Sequence, residues 1–327
     1  MKEKKESLVY IQTQKAIESL RHYFQDELAK ELKLTRVSAP LFVEAGTGLN
    51  DDLNGIEKAV SFNASNKKME IVHSLAKWKR YALKQYDFHI HKGLYTDMNA
   101  IRKDEELDDI HSYYVDQWDW ELIIKKEERT NALLEYTVKK IYKALLQTEK
   151  YITKQFPSLY KVLPPEIYFI TSQELEDLYP SKTPNEREYE ICKKHKAVFL
   201  KQIGKELKSK TIHDKRSPDY DDWELNGDIL VWYDVLEIPL ELSSMGIRVD
   251  KETLLKQLKI RGCEDRINKK YHQMVLNEEV PFTIGGGIGQ SRLCMFFLKK
   301  RHIGEVQVSV WPDEMLKELK EKNIILL

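Results

Sequence analysis

Apolar side chains recur at helical spacing near the start of the chain, where Ile17, Leu20, Phe24 and Leu28 fall on one face of a helix. The same spacing predicts a long amphipathic helix over residues 130–156 and a shorter helix over residues 251–262. The run MEIVHSLAKWKRYALKQY, residues 69–86, is typical of a strand that leads into a helix. Helices therefore occur in several separated parts of the chain.

Strands are predicted in the middle and at the end of the chain. Residues 111–124, HSYYVDQWDWELII, alternate like a strand, and residues 227–249 hold two strands joined by a short turn. A strand over residues 34–43 is broken by Pro40, and residues 172–204 predict one or two helices followed by a strand. Helices that cluster rather than alternate strictly with strands favour an α+β fold with a mostly antiparallel sheet, in one domain over residues 1–327.

The stretch FTIGGGIGQSRLCMFFL, residues 282–298, holds four glycines in five positions, and Arg292 follows three residues after the last of them. Residues 280–284 predict a strand, and the glycines are interpreted as a turn into a helix that begins near Gln290. A phosphate loop needs Lys-Ser or Lys-Thr, and a dinucleotide loop needs glycine where Gln290 stands, so neither pattern fits. A helix N-terminus beside Arg292 suits an anion, but a plain turn explains the same residues.

Composition narrows the class of protein. Lys and Arg together number 53, as do Asp and Glu, so the basic excess of a nucleic-acid binder is absent. The three cysteines are dispersed and form no CxxC pair, which favours a reducing compartment. No apolar run approaches membrane-spanning length, and the N-terminal residues lack a signal-peptide core. These features predict a cytoplasmic protein without a membrane segment.

Two acids stand at the start of apolar strand segments. Asp228 precedes ILVW, and Glu241 lies in LELSSM on the next strand. Carboxylates on a sheet face are costly unless they are paired or bind a metal, and one or two carboxylates with substrate phosphates commonly hold Mg²⁺. Two strand-end acids in solvent are an equally simple interpretation.

Gln117 and Asp119 lie on one face of the predicted strand over residues 111–124, and Trp118 and Trp120 lie on the other. A carboxylate beside an amide oxygen suits an ammonium group. The alternative is an outward polar face with the tryptophans packed inward.

Other polar residues have simple structural interpretations when taken singly. Lys79 lies in line with Leu75 and Leu83, where a lysine either extends to solvent or serves a site. Asp51 lies between glycines and is typical of a turn, and Asp221 belongs to the acidic run DYDDWE, which is typical of a polar loop.

Three segments follow one another in the order of motifs 1, 2 and 3 of class II aminoacyl-tRNA synthetases. They are the helix leading to VSAPLFV, then IRKDEELDDIHSYYVDQWDWE, then GGGIGQSR. Longer segments, among them VHSLAKWKR, GLYTDMNAIR, YVDQWDWE, PDYDDW, LNGDILVW, ELSSMGIRVD and TIGGGIGQSRL, resemble the ammonia-dependent asparagine synthetases, or aspartate–ammonia ligases, over nearly the whole chain. One departure is that Trp223 is followed almost at once by LNGD, where a longer insertion is expected.

The resemblance implies a class II synthetase core in a homodimer that joins L-aspartate and ammonia at the expense of ATP. The products are asparagine, AMP and diphosphate, by way of β-aspartyl-adenylate. Arg102 matches the motif 2 arginine, expected at the α-phosphate and the activated carboxylate, and Arg292 matches the motif 3 arginine, expected at the terminal phosphates or adenine. Asp228 and Glu241 are expected to hold Mg²⁺, and Asp51 to orient ammonia or accept its proton.

The remaining implied contacts are with the two larger substrates. For aspartate, the α-ammonium is expected on Gln117 and Asp119 with Ser244 nearby, and the α-carboxylate on Ser74 and Lys79. For ATP, the pyrophosphate end is expected on Arg216, with Asp221 in the same region. Adenine is expected among Tyr220, Ile110, Val115 and Leu242.

The nitrogen source follows from the cysteines. Glutamine-dependent amidotransferases need a cysteine directly after the initiator methionine, where this chain has Lys2, or a cysteine in a glycine elbow. Cys192, Cys263 and Cys294 have no such elbow, so free ammonia is the expected donor. Two alternatives stay open: a tRNA synthetase core, which predicts a basic face and a further domain, and an inactive relative, which would be expected to lose the metal acids or the phosphate arginines.

Overall fold

The computed structural model describes residues 2–53 and 57–327, with side chains from residue 10 onwards in the first range. Helices and strands alternate irregularly along these residues. The helices are α1 (Lys2–Leu32), α2 (Ala76–Gln85), α3 (Asn131–Gln155), α4 (Ser172–Leu178), α5 (Pro184–His195), α6 (Lys251–Arg261), α7 (Lys270–Leu276), α8 (Gln290–Leu298) and α9 (Asp313–Glu321). The strands are β1 (Leu34–Arg36), β2 (Phe42–Glu44), β3 (Ser61–Ala64), β4 (Lys67–Ile71), β5 (Gly93–Ile101), β6 (Tyr114–Ile123), β7 (Tyr168–Thr171), β8 (Ala197–Lys201), β9 (Asp221–Tyr233), β10 (Ile238–Arg248) and β11 (Thr283–Gly289).

An eight-stranded sheet in the order β1-β5-β6-β11-β10-β9-β8-β7 forms the centre of the fold. Its outermost pairs, β1 with β5 and β7 with β8, are parallel. The neighbouring pairs between them are antiparallel. The prediction of a mostly antiparallel α+β sheet is confirmed. Pro40 separates β1, in this sheet, from β2, which joins β3 and β4 in a small second sheet.

One face of the large sheet is covered by α1, α3 and α8. Trp118 and Trp120 on β6 are fully buried there, and the ring of Phe24 on α1 lies 4.9 Å from that of Trp118. Leu20 and Leu28, predicted on the same helical face as Phe24, are also fully buried. Burial of a large apolar side chain contributes about 1.5–3 kcal/mol, so these helices fix the sheet firmly from behind.

The opposite face of β6 presents Gln117, Asp119 and Glu121, as the alternation predicts. The glycines of β11 lie beside them: Gly287 pairs with Asp119, and Gly285 pairs with Glu121. The prediction that the strand ends at residue 284 and that the glycines form a turn is therefore wrong. The helix does begin at Gln290, as predicted.

The reason for glycine in a strand is the space taken by side chains from β6. A Cβ atom added to Gly285 would lie 1.8 Å from Glu121 Oε2, and one added to Gly287 would lie 2.4 Å from Gln117 Oε1. Glycine normally weakens a strand, and a strand glycine often marks the close approach of other groups. Here these groups are polar side chains on the open face of the sheet.

Asp228 lies in the interior of its strand and not at its start. The polar residues before it also pair with β10, since Asp221 lies opposite Arg248 and Asn226 lies opposite Gly246. Ion pairing keeps this acidic segment in the sheet, and Asp221 is only 2% exposed. The interpretation of DYDDWE as a polar loop is therefore wrong for these positions.

Candidate active site

A cleft of about 380 Å³ opens on the face of the sheet that carries Gln117 and Asp119. Residues from α2, α8, β6, β9, β10, β11 and the loops between elements line it. Of the predicted site residues, all but Asp228 contribute to its walls: Asp51, Ser74, Lys79, Arg102, Ile110, Val115, Gln117, Asp119, Arg216, Tyr220, Asp221, Glu241, Leu242, Ser244 and Arg292.

A buried charge pair occupies one part of the cleft. Lys79 Nζ lies 3.2 Å from Asp119 Oδ2 and donates a hydrogen bond of 2.7 Å to the carbonyl oxygen of Gly286. Both side chains are almost fully buried, so Lys79 does not extend to bulk solvent. Burial lowers the pKa of Lys79, and the charge of Asp119 acts against that shift. The second oxygen of Asp119, Oδ1, is buried without a hydrogen-bond partner among the described residues.

This arrangement suits a zwitterion. An unpartnered buried acceptor costs about 1–3 kcal/mol, and a bound ammonium group would remove that cost. The ammonium group of Lys79 can also form an ion pair with the carboxylate of such a ligand. Gly287, whose missing side chain leaves room beside Gln117 and Asp119, keeps the space open.

The floor beneath this pair is an ion network that the sequence pattern did not single out. Arg248 donates to Glu121 at 2.8 and 2.9 Å and also pairs with Asp221, and Thr283 donates to Glu121 at 2.6 Å. Glu121 and Arg248 are almost fully buried. The signal was available, because Glu121 continues the alternation of Gln117 and Asp119.

Asp51 lies at another wall, where both of its carboxylate oxygens are used. Oδ2 accepts from the hydroxyl of Ser74 at 2.8 Å, and Oδ1 accepts from the amide of Leu53 at 2.9 Å. Asn50 Oδ1 accepts from the amides of Asp51 and His73, each at 2.9 Å, which ties this loop to the start of α2. The hydroxyl group of Ser74 is therefore already hydrogen-bonded to Asp51. This hydrogen bond must break before Ser74 can donate to the carboxylate of a bound ligand.

Arginines provide the positive charge of the cleft. Arg102 follows β5 directly, and its Nε is buried with no hydrogen-bond partner in the part of the chain that the structure describes. Arg292 Nη1 donates to the carbonyl oxygen of Glu241 at 3.2 Å and lies 3.7 Å from its carboxylate. Arg216 pairs with Asp228 and donates to Ser244 Oγ at 2.5 Å. Asp228 therefore lies behind Arg216, which accounts for its absence from the cleft wall.

Asp228 retains an unused oxygen in this position. Its Oδ1 is buried and accepts no hydrogen bond from residues 10–53 or 57–327, whose side chains are described. Burial raises the pKa of Asp228, Arg216 opposes the shift, and the nearby charge of Glu241 adds to it. A cation between the two carboxylates would relieve both the burial cost and the repulsion, so these residues fit a metal ion.

The prediction that the N-terminus of α8 presents free amides to an anion does not hold for the amide of Ser291. Ser291 donates its amide and its hydroxyl to Asp116, at 3.0 and 2.8 Å, and Arg21 of α1 donates to the same carboxylate at 2.7 Å. The anion at this helix end is thus a side chain of the protein itself. Arg292, one residue further on, lines the cleft.

A mostly antiparallel sheet with a polar cleft and several arginines on its open face is typical of a class II synthetase core. The fold comparison agrees. Asparaginyl-tRNA synthetase from Pyrococcus horikoshii, complexed with asparaginyl-adenylate, superposes with a TM-score of 0.67 at 15% identity over 93% of this chain and 70% of that one. The enzyme from Entamoeba histolytica, also complexed with asparaginyl-adenylate, gives 0.65 at 14% identity over 91% and 66% of the two chains. The chain thus spans about two thirds of that synthetase.

Sequence similarity places the chain more narrowly. The profile of the family described as aspartate-ammonia ligase matches residues 11–323. The aspartate–ammonia ligases of Clostridium perfringens strain 13 and Ruminiclostridium cellulolyticum are 60% and 57% identical over 97% and 99% of this chain, and 95% and 97% of their own lengths. The chain belongs to the aspartate–ammonia ligase family. It is an enzyme that makes L-asparagine from L-aspartate and ammonia with ATP, through β-aspartyl-adenylate, releasing AMP and diphosphate.

Proposed function

We propose that the cleft performs this reaction with the residues predicted from the sequence. The observation that supports the proposal most strongly is that one cleft joins the Lys79–Asp119 pair, with its unused acceptor, to Arg102, Arg216 and Arg292. A zwitterionic amino acid and a polyanionic nucleotide can therefore bind side by side.

Aspartate is held by its α-groups. Its α-ammonium binds Asp119 Oδ1 and the amide oxygen of Gln117, with Ser244 nearby, and its α-carboxylate binds Lys79. Ser74 joins the α-carboxylate once it leaves Asp51. With both α-groups held in this way, the β-carboxylate is the group left free to react.

Adenylation brings two anions together. An oxygen of the β-carboxylate attacks the α-phosphorus of ATP, and the bond to diphosphate breaks with its electron pair. Arg102 lies where both anions meet and lowers their repulsion, while Arg216 and Arg292 hold the leaving diphosphate. Orientation of the two reactants can supply about 7–11 kcal/mol of the barrier.

Ammonolysis completes the reaction. The nitrogen lone pair attacks the β-carbonyl carbon, the bond to AMP breaks, and nitrogen loses a proton. Asp51 orients ammonia or accepts that proton. A carboxylate resists such attack because oxide is a poor leaving group, and adenylation replaces it with AMP.

The nucleotide base lies against the apolar part of the cleft. Tyr220, Ile110, Val115 and Leu242 line it there. Arg248 lies 5.7 Å from the ring of Tyr220 and pairs with Asp221, so it holds this wall in place. Asp228 and Glu241 would hold Mg²⁺, which would supply positive charge to the phosphates.

Purified protein with aspartate, ATP, Mg²⁺ and ammonium, but no tRNA, is expected to release asparagine and AMP in equal amounts. Glutamine in place of ammonium is expected to give no more product than its contaminating ammonia, and chelation of Mg²⁺ is expected to stop AMP release. Transfer of aspartate to tRNA without free asparagine would contradict the proposal. An inactive relative would release neither product, but Arg102, Asp228, Glu241 and Arg292 are all retained.

Substitution of Gly287 by alanine is expected to raise the KM for aspartate by about tenfold to a hundredfold. The new Cβ would lie 2.4 Å from Gln117 Oε1 and 2.8 Å from Asp119 Oδ1, so it displaces the two groups that receive the ammonium. Steady-state kinetics with aspartate as the varied substrate measures the effect.

Gly262→Ala is the matched control. Gly262 ends α6 with a φ of +63°, and a Cβ there would meet no atom of the described residues within 4 Å. This variant is expected to lower the melting temperature through backbone strain and leave the KM unchanged. An unchanged KM for aspartate in Gly287→Ala would show that Gly287 does not shape the aspartate site.

The assembly and location of the protein stay predictions from the sequence. We infer one catalytic domain over residues 1–327 and a homodimer in the cytoplasm, with no nucleic-acid partner. Leu41, Phe42 and Phe62 are exposed apolar side chains beside the Pro40 segment, where the dimer contact is expected. Sedimentation velocity would test the dimer. Among the described residues, every helix is too short or too polar to span a bilayer.

A further inference from the structure

A buried ion cluster lies beside the cleft and has no part in the chemistry described so far. Its centre is Asp219, which is fully buried. Asp219 Oδ2 lies 3.1 Å from Lys77 Nζ, 2.9 Å from His272 Nε2 and 3.2 Å from Arg266 Nη1, while Oδ1 accepts from Ser217 at 2.7 Å. We name these residues the Asp219 cluster.

The charges of the cluster depend on one another. Burial alone would raise the pKa of Asp219, but Lys77, the hydrogen bond from His272 and Arg266 hold it well below its ordinary value. Burial would lower the pKa of Lys77, yet the carboxylates of Asp219, Asp51 and Asp52 raise it. The positive charges of Lys77 and Arg266 therefore balance the carboxylate of Asp219 and the nearby carboxylates of Asp51 and Asp52. The cluster thus lies close to the loop that carries Asp51.

The cluster joins two walls of the cleft. On one side Asp219 belongs to the segment 215–221, which contributes Arg216 and Tyr220 to the nucleotide wall. On the other side Arg266 Nε lies 3.4 Å from Asp52 Oδ2, directly next to Asp51 in the chain. Arg266 thus contacts both sides, and the segment between α6 and α7 that carries it lines neither wall.

We propose that Arg266 is a positioning residue for ammonolysis, fixing the Asp51 loop against the nucleotide segment. The inference rests on the proposed role of Asp51. The two half-reactions need different parts of this geometry. Adenylation needs ATP and the β-carboxylate, which the arginines hold, whereas ammonolysis also needs Asp51 at a defined distance from the adenylate.

Removal of Arg266 leaves no buried charge of the cluster alone. Without it Asp219 keeps Lys77, and Asp52 keeps Lys269 at 3.1 Å. Substitution of Lys77 or Asp219 would instead strand an ion in the interior, which commonly unfolds a protein. Arg266→Ala therefore removes the Arg266 contact between the two loops, while every buried ion of the cluster keeps a partner.

Arg266→Ala is expected to raise the KM for ammonium or lower the rate of asparagine release by about tenfold, because a misplaced catalytic group costs that much or more. Aspartate-dependent ATP–pyrophosphate exchange is expected to stay within about threefold of the unsubstituted rate, since displacement of the Asp51 loop leaves the arginines in place. Both assays use the full chain, and thermal unfolding of the same preparation checks the fold.

Two further variants test whether the effect comes from the Arg266–Asp52 contact. Asp52→Ala removes the other end of the same contact, so the double variant Arg266→Ala/Asp52→Ala is expected to be no worse than either single variant. Arg301→Ala is the matched control. Arg301 is exposed and donates a hydrogen bond to the carbonyl oxygen of Lys322, so this variant is expected to change neither half-reaction.

A parallel loss of both half-reactions in Arg266→Ala, or additive losses in the double variant, would overturn the inference and leave a purely structural role. An unchanged ammonium KM and release rate would overturn it as well. Failure of the unsubstituted protein to make asparagine would instead refute the proposed function, so the two outcomes are distinguishable.

Discussion

Substitution of Arg102 by alanine is expected to lower the rate of aspartate-dependent ATP–pyrophosphate exchange by about 10³-fold, while aspartate still binds. The guanidinium is the charge proposed to touch both reacting anions, so its contribution grows as they approach. Aspartate binding is proposed to depend on its α-groups, which the Lys79–Asp119 pair would hold. The loss should therefore fall on the rate of adenylation and not on the affinity for aspartate.

Pyrophosphate exchange measures the rate of adenylation, and isothermal titration calorimetry measures the affinity for aspartate. Lys103→Ala is the matched control, because Lys103 is the next residue and its ammonium is exposed and paired with Asp104 at 2.5 Å. Arg102→Lys keeps the charge but loses the two-pronged donor geometry, so it should recover only part of the rate. Unchanged turnover in Arg102→Ala would remove the role assigned to this residue.

The alternation of residues on β6 made half of the site predictable. Because side chains on a strand point to opposite faces in turn, the order of residues in HSYYVDQWDWELII is enough to separate Gln117 and Asp119 from Trp118 and Trp120. The tryptophans do pack inward, and the polar pair does line the cleft. The alternation of the two faces is confirmed, and the binding of an ammonium group by Gln117 and Asp119 stays a prediction.

The glycines of residues 285–289 were not predictable as a strand from local preference. Glycine disfavours strands, and the reason for its use lies across the sheet, in Gln117 and Glu121 on β6. These neighbours are distant in the chain, and the register that joins them to the glycines is set by the whole sheet. The same holds for Arg248, whose partners Glu121 and Asp221 come from different strands.

Buried cations were the least predictable feature. Lys77, Lys79 and Arg80 stand close together at the start of α2, where three cations normally indicate a solvated face, yet all three are almost fully buried. Each one is matched by a partner from a distant segment: Asp219, Asp119 and the carbonyl oxygens of Val249 and Pro281. Only the assembled fold supplies these partners.

The fold also explains how one architecture can adenylate different carboxyl groups. The synthetases that share it charge an amino acid through its α-carboxyl, whereas this family activates the β-carboxyl of aspartate. In this cleft the Lys79–Asp119 pair is suited to hold the α-groups, which points the side-chain carboxylate toward Arg102.

Substitution of Asp51 by alanine is expected to separate the two half-reactions more sharply than any other change in the cleft. Asparagine release should fall by about 10²–10³-fold, the usual contribution of a positioned proton acceptor. Pyrophosphate exchange should be partly retained, because Asp51 carries the same charge as both reactants of the first step and cannot promote their approach.

Asp51→Asn tests which property of the side chain matters. Asparagine keeps one acceptor oxygen, which can receive the amide of Leu53, and its amide nitrogen can donate to the hydroxyl oxygen of Ser74, so both contacts that shape the loop can be kept. It cannot accept a proton or attract ammonium. If Asp51→Asn is as impaired in asparagine release as Asp51→Ala, the carboxylate acts on ammonia directly; if it recovers activity, Asp51 serves only to fold the loop. Equal loss of both half-reactions in Asp51→Ala would mean that this residue does not act on ammonia at all.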